Sequence, residues 1–178
     1  ARGLYSRALT NLATAYQLTG RLAEARELHE EALDIKRDWF GPYHTEVGYS
    51  VANLSYIFQE EGDYATSERL KAEAIDIFSR ALGAMHPNIA IIMIGMAATQ
   101  DLQGKYEEAA VSYAEALQRV EAGFGPQSIQ ALLVHNGIGE NFYYRGRFEE
   151  AEASYRIALD IGNRLGPDAA LRFAKGEQ

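Results

Sequence analysis

Several residue types that define common protein classes are absent or scarce in this chain of 178 residues. There is no cysteine, which excludes a disulfide framework, a thiolate nucleophile and a cysteine-ligated metal. This absence fits a reducing compartment, and we expect a cytoplasmic location. Only 17 residues are Lys or Arg, against 25 Asp or Glu, so the formal net charge is −8. Because nucleic-acid binding needs clustered cations, no nucleic-acid partner is expected.

A hydrophobic run long enough to span a membrane is also missing. The run from Ile89 to Ala98 is too short, since a spanning helix needs about 20 mostly apolar residues. Pro87 precedes it, and proline suits the first turn of a helix. We therefore predict an ordinary helix over 88–103 and no membrane partner. The chain begins at Ala1 without a signal-like segment, and we interpret it as an excised or processed piece.

Glycine marks an internal repeat of about 42 residues. One set recurs at Gly20, Gly62, Gly104 and Gly146, and a second lies 21 residues further on at Gly41, Gly83 and Gly125, with Gly166 one residue early. The segments between these glycines have helical periodicity, so each repeat is predicted to be a hairpin of two helices. We predict a single domain over 1–178, with repeats at 5–46, 47–88, 89–130 and 131–166. Residues 167–178 are predicted to be a partial fifth repeat or a capping helix.

The repeat resembles the tetratricopeptide repeat. Its L-A-x-x-Y pattern is present at Leu12, Ala13 and Tyr16, and its small residues follow at Gly20, Ala25 and Ala32. The usual unit has about 34 residues. The longer unit, with links FGPYHT (40–45), LGAMHP (82–87) and FGPQSI (124–129), resembles kinesin light chain repeats and their bacterial relatives. The resemblance implies an all-α fold, a right-handed superhelix (α-solenoid) of four antiparallel helical hairpins.

In that family the first helices line a concave groove, which implies a set of candidate peptide-binding residues. The first two repeats contribute Arg7, Asn11, Gln17, Tyr49, Asn53, Tyr56 and Gln59. The last two contribute Ile91, Ile94, Asp101, Leu133, Asn136, Glu140 and Tyr143. Asn amides at equivalent positions of repeats one and two can bond a peptide backbone through both donor and acceptor.

The apolar run is explained if its helix is apolar on the groove side as well as on the core side. We predict that the core side consists of Ile92, Met93 and Met96, and that Ile91 and Ile94 are accessible in the groove. The alternative is that a tight superhelix or a missing C-terminal helix covers them.

No catalytic constellation is present, so neither an enzyme nor a cofactor is expected. His44 and His86 occupy equivalent links, which raises a metal hypothesis. Stacked hairpins lie about 10 Å apart, whereas zinc ligands lie about 2 Å from the metal, so a structural role in the links is favoured. Asp101 and Glu140 should face the groove from adjacent first helices, where they could act as acid and base or hold a basic ligand side chain.

The predicted function is a protein-protein interaction scaffold that binds an extended peptide or a partner helix in the concave groove. One alternative is a regulatory segment of a larger signalling enzyme of the protease-like or nucleotide-binding kind, as found among bacterial relatives of these repeats. The other is a self-association module that forms a homo-oligomer through the apolar surface.

Overall fold

The computed structural model describes residues 2–166, which form eight helices arranged as four hairpins. The helices are α1 (Arg2–Leu18), α2 (Leu22–Phe40), α3 (Thr45–Glu60), α4 (Tyr64–Leu82), α5 (Pro87–Leu102), α6 (Tyr106–Gly123), α7 (Ile129–Tyr144) and α8 (Phe148–Leu165). The described residues contain no strand, and the predicted all-α class is confirmed. The segment 167–178, predicted as a partial repeat or cap, lies outside the described residues.

Contacts divide the chain into two compact units, residues 1–84 and residues 85–178. In the N-terminal unit, α1 pairs with α2, α3 pairs with α4, and α2 packs on α3. In the C-terminal unit, α5 pairs with α6 and α7 pairs with α8, while both α5 and α6 pack on α7. The organisation of the four repeats as a single domain stays a prediction.

Glycine ends the second helices where the sequence pattern placed it. Gly41 and Gly83 have φ angles of 83° and 94°, and their N–H groups donate to the carbonyls of Arg37 and Ser79. Residues with a side chain rarely adopt a positive φ of this kind, whereas glycine does so readily. The 42-residue recurrence of glycine therefore reflects a recurring backbone conformation at the helix ends.

The link histidines cap the first helices that follow them. His44 Nδ1 accepts a hydrogen bond from the backbone N–H of Glu46 at 3.1 Å, and His86 Nδ1 accepts one from Asn88 at 3.2 Å. Ser128 is the equivalent residue of the third link, and its Oγ accepts from the backbone N–H of Ala131 at 3.1 Å. At positions 42 residues apart, a side chain therefore accepts from one otherwise free N–H group at the start of each of three successive first helices. This is the structural role predicted for the two histidines.

His86→Ala should lower the free energy of unfolding by about 0.5–2 kcal/mol, because α5 loses its side-chain cap. His86→Ser should retain most of that stability, since serine already serves at the equivalent position. Urea denaturation followed by circular dichroism measures both variants. An equal loss in both would show that the imidazole stabilises the link in some other way.

Large and small core residues are paired across the two helices of a hairpin. In the second hairpin, a Cβ placed on Gly48 would lie 3.0 Å from a ring carbon of Phe78. In the fourth hairpin the sizes are reversed, and a Cβ placed on Gly162 would lie 3.2 Å from Leu132 Cδ1. Gly48 and Leu132 are equivalent residues two repeats apart, and so are Phe78 and Gly162. The same space in the hairpin is therefore filled from opposite helices, as close packing requires.

Candidate functional site

The apolar residues of α5 are divided between a packed side and an accessible side. Ile92 and Met93 are buried as predicted, and Ile91 is 39% exposed. Ile94 is half-buried. Met96, predicted to face the core, is also only half-buried. Residues on both sides of position 96 around the helix are buried, among them Ile92 and Met93, so the partial exposure of Met96 is not explained by its place on the helix. No helix of the described chain is long and apolar enough to cross a membrane.

An exposed apolar pair lies on the first helices of the C-terminal unit. Leu133 of α7 is 45% exposed and is the equivalent, one repeat later, of Ile91 on the neighbouring α5. Since α5 packs on α7, equivalent positions on the two helices face the same way. Three further predicted groove residues are also exposed on α7, namely Asn136, Glu140 and Tyr143. The two helices thus present an apolar pair together with polar and aromatic side chains.

Asp101 is on the predicted helix but is not on the accessible surface, because it is only 6% exposed. Asn141 of α7 covers it and donates to its Oδ1 at 2.6 Å and to the carbonyl oxygen of Tyr106 at 2.8 Å. The other carboxylate oxygen, Oδ2, is buried and accepts no hydrogen bond of ordinary geometry. Burial raises the pKa of Asp101, while hydrogen bonding from Asn141 and from the Tyr113 hydroxyl acts in the opposite direction.

Tyr113 of α6 reaches the same carboxylate from the second helix. Its ring is buried and packs against α7 at Gly137, where a Cβ would lie 2.4 Å from ring carbon Cε1. Burial raises the pKa of Tyr113, and the charges of Asp101 and Glu140 raise it further. Tyr113 was not among the predicted site residues, because only first helices were expected to line the groove.

Negative charge around Asp101 is only partly compensated. Arg145 donates to both oxygens of Glu107, at 2.8 and 2.7 Å, rather than to Asp101. Glu140 Oε1 accepts from the amide of Asn136 at 2.9 Å. Within residues 2–166, neither Asp101 nor Glu140 forms an ion pair. The predicted acid pair therefore exists as one buried and one exposed carboxylate near the same tyrosine hydroxyl.

The predicted groove residues of the N-terminal unit form a more polar surface. Arg7, Asn11 and Tyr49 are exposed, and Tyr49 packs edge-on against the Phe78 ring at 4.9 Å between centroids. The other four are partly buried, namely Gln17, Asn53, Tyr56 and Gln59. The amide of Gln17 donates to Glu60 at 2.7 Å. Of the two recurring asparagines, Asn11 is exposed and Asn53 is half-buried.

A buried lysine lies beneath this polar surface. Lys71 of α4 has no exposed area, and its Nζ donates to Gln59 Oε1 at 2.6 Å and to Ser67 Oγ at 3.0 Å. The same Nζ lies 4.9 Å from the centroid of the Tyr56 ring. Burial lowers the pKa of Lys71 to about 8. Lys71 and Tyr113 are equivalent residues, so in both units this second-helix position reaches the first helix of its own hairpin.

The family comparison agrees with this architecture. The sequence model of the tetratricopeptide repeat family matches residues 4–55, 48–122 and 103–164. The chain therefore belongs to the tetratricopeptide repeat family, whose repeats are generally protein-interaction scaffolds. No curated protein matches the chain.

Solved structures with the same fold include two kinesin-light-chain-like proteins. BtubC (BKLC) from P. vanneervenii matches with a TM-score of 0.79 and 23% identity over 90% of this chain and 64% of its own. A putative kinesin light chain from Podosopora anserina with nearly identical TPR-like repeats gives a TM-score of 0.71 and 20% identity over 88% and 74%. These likenesses confirm the predicted solenoid fold. The chain spans 64% of the length of BtubC.

Proposed function

We propose that the chain is a non-catalytic scaffold that binds an extended peptide or a partner helix on the exposed faces of its first helices. The observation that supports this most is the exposed pair Ile91 and Leu133. Exposed apolar surface rimmed by polar residues usually marks an interaction site. Since the chain has no cysteine, we expect it to act in the cytoplasm.

The first helices of the N-terminal unit are proposed to offer polar contacts to a peptide. Asn11 is exposed and can both donate to and accept from a peptide backbone. Arg7 and Tyr49 are exposed on the first helices of the same unit, and these residue types often dominate binding energy at interfaces. An affinity in the micromolar range, about −8 kcal/mol, suits a reversible scaffold.

Ile91→Asp is expected to abolish or strongly weaken peptide binding without unfolding the protein. The probe is the strongest dodecapeptide selected by phage display against the purified chain, with its Kd measured by fluorescence anisotropy. An unpaired charge at an apolar contact must be desolvated, so the Kd should rise about tenfold or more. The thermal midpoint should hardly change, because surface substitutions usually alter stability by less than about 0.5 kcal/mol.

Val111→Asp is the matched control for this experiment. Val111 is 60% exposed and lies on α6, a second helix, so the same change there should leave the Kd unaltered. If Val111→Asp weakens binding as much as Ile91→Asp, the proposed surface is wrong. A large fall in the thermal midpoint of Ile91→Asp alone would show that this residue belongs to the core.

Two alternatives stay predictions. A regulatory role in a larger signalling enzyme would place the same surface beside a catalytic domain of the full gene product. Self-association would appear as a concentration-dependent mass in light scattering, and Ile91→Asp should then remove it.

A further inference from the structure

One side of α1 is apolar and exposed, although the same side of the next first helix is buried. This stripe of α1, which we call the head, has helical spacing and consists of Tyr5, Ala8, Leu12 and Ala15, all exposed. The equivalent stripe of α3, where no residue is more than 6% exposed, consists of Val47, Ser50, Leu54 and Ile57. α2 packs on α3, whereas within residues 2–166 the head of α1 remains accessible.

The last helix of the described chain has a second accessible stripe. This stripe of α8, which we call the tail, consists of Phe148, Glu152, Tyr155, Leu159 and Gly162. The equivalent stripe of α2 meets α3, since Lys36 Nζ donates to Ser50 Oγ at 3.0 Å. Leu33 of that stripe is 3% exposed, whereas its equivalent Leu159 is 65% exposed. The tail also borders an open cavity of about 290 Å³.

Contacts between successive hairpins inside the chain show how a head and a tail would meet. The lysine–serine contact of α2 and α3 is equivalent to Gly162 of one copy facing Ala8 of another. Asn141 of α7 donates to the first carbonyl group of α6 at 2.8 Å, and the equivalent contact places Phe148 opposite Ala15. A ring then meets a methyl group, and glycine allows the two helices to approach closely. This complementarity of size is what close packing requires.

The residues at the centre of the contact also fit. Tyr113 of α6 packs on Gly137 of α7, where a Cβ would lie 2.4 Å from the ring, so the helix on Tyr113 needs glycine at that position. Tyr155 is the equivalent residue of α8, but it packs on Gly139 of its own hairpin, where a Cβ would lie 2.6 Å from the ring. A helix that covers the tail therefore needs no glycine at the equivalent position, which in α1 is Asn11.

The charges of the two helices are complementary as well. α1 contains two arginines and no acidic residue, although the net charge of the chain is −8. α8 contains four acidic residues and two arginines. Opposite charges on two surfaces favour their encounter and suppress wrong pairings.

We propose that the chain associates head to tail, with the head of one copy packed on the tail of a second copy. The contact continues the packing of α2 on α3, and the same chain supplies both halves of it. Solenoid ends usually need a polar outer face for solubility, which neither stripe provides. Each added copy leaves one head and one tail free, so association continues beyond the dimer or closes as a ring. This surface is distinct from the exposed pair Ile91 and Leu133.

Two complementary variants test the proposal. Leu12→Glu blocks the head and Leu159→Glu blocks the tail, because a charge in an apolar contact must be desolvated. In sedimentation velocity the mass of the wild type should rise with concentration, and each variant alone should be monomeric where the wild type associates. An equimolar mixture of the two variants should form dimers and nothing larger, since one variant has an intact head and the other an intact tail.

Ile157→Glu is the matched control, because Ile157 is 45% exposed on the side of α8 opposite the tail. It should associate as the wild type does, and so should Ile91→Asp. A wild type that stays monomeric, or a mixture of the two blocked variants that does, would overturn the proposal. If Leu159→Glu sharply lowers the thermal midpoint of the dilute protein, residues of the same chain cover the tail, and the second copy is the wrong occupant.

Discussion

Exchanging the sizes of Gly48 and Phe78 is expected to restore much of the stability that either single change removes. Phe78→Gly removes a fully buried ring, which costs about 3–5 kcal/mol, and it adds about 1 kcal/mol for glycine inside a helix. Gly48→Leu forces a side chain into space that the Phe78 ring already occupies at 3.0 Å, and overpacking of this kind costs about 1–3 kcal/mol or more. In Gly48→Leu/Phe78→Gly the leucine fills the space left by the ring.

The fourth hairpin is the natural precedent for the double variant, since Leu132 and Gly162 occupy these two positions there. Urea denaturation followed by circular dichroism should show a double variant that is more stable than Phe78→Gly alone. Gly48→Leu combined with Leu54→Ala is the control. Leu54 is buried on the same helix about 9 Å further along, and its truncation should cost about 2–5 kcal/mol. These two losses should simply add. If the losses of the two single variants also add in Gly48→Leu/Phe78→Gly, leucine does not fill the space left by the ring and the explanation is wrong.

The helical architecture could be predicted from local signals because each hairpin repeats the same backbone requirements. Glycine recurs where φ is positive, as at Gly41 and Gly83. A side-chain acceptor recurs at 44, 86 and 128, where three first helices need a cap. Such requirements involve only a few neighbouring residues, so a single sequence displays them directly.

The candidate site was predicted less completely because burial depends on the partner helix. Periodicity correctly placed Asp101 on the first helix of the third repeat, but it could not show that Asn141, 40 residues later, covers the carboxylate. The approach of Tyr113 to α7 depends in the same way on the missing side chain of Gly137. Contacts of this kind arise from particular pairs of residues in successive repeats, and the average pattern of the repeat does not contain them.

Lys71 shows the same limit and has a measurable thermodynamic consequence. Tyr113 and Tyr155 occupy the equivalent positions of the third and fourth repeats, and the sequence did not reveal where the amine of Lys71 would go. The structure places the amine under Tyr56 and Gln59 with no exposed area. Its pKa of about 8 compares with about 10.4 in an unfolded chain. The folded state therefore releases this proton at a lower pH than the unfolded state does.

Lys71→Met should stabilise the protein at pH 7, and its advantage should shrink as the pH rises. Below pH 8 both states of the wild type bind the proton, and burying the charged amine costs roughly 3 kcal/mol relative to a neutral one. Between about pH 8 and 10.4 the unfolded state binds more protons than the folded state, so the stability of the wild type rises with pH. Methionine has a similar shape and no charge, so it can occupy the same space without the cost of burying a charged amine.

Urea midpoints measured from pH 7 to pH 10 on the wild type and on Lys71→Met test this expectation. At each pH the effect of the lysine is measured by how far the midpoint of Lys71→Met exceeds that of the wild type. This difference should be largest near pH 7 and small near pH 10. Lys36→Met is the matched control, because Lys36 is also buried but lies 3.2 Å from the carboxylate of Glu46. Removing that lysine leaves Glu46 without its cation, so no stabilisation is expected. A Lys71→Met protein that is less stable than the wild type at pH 7 would mean that the bonds to Gln59 and Ser67 outweigh the cost of burying the charge.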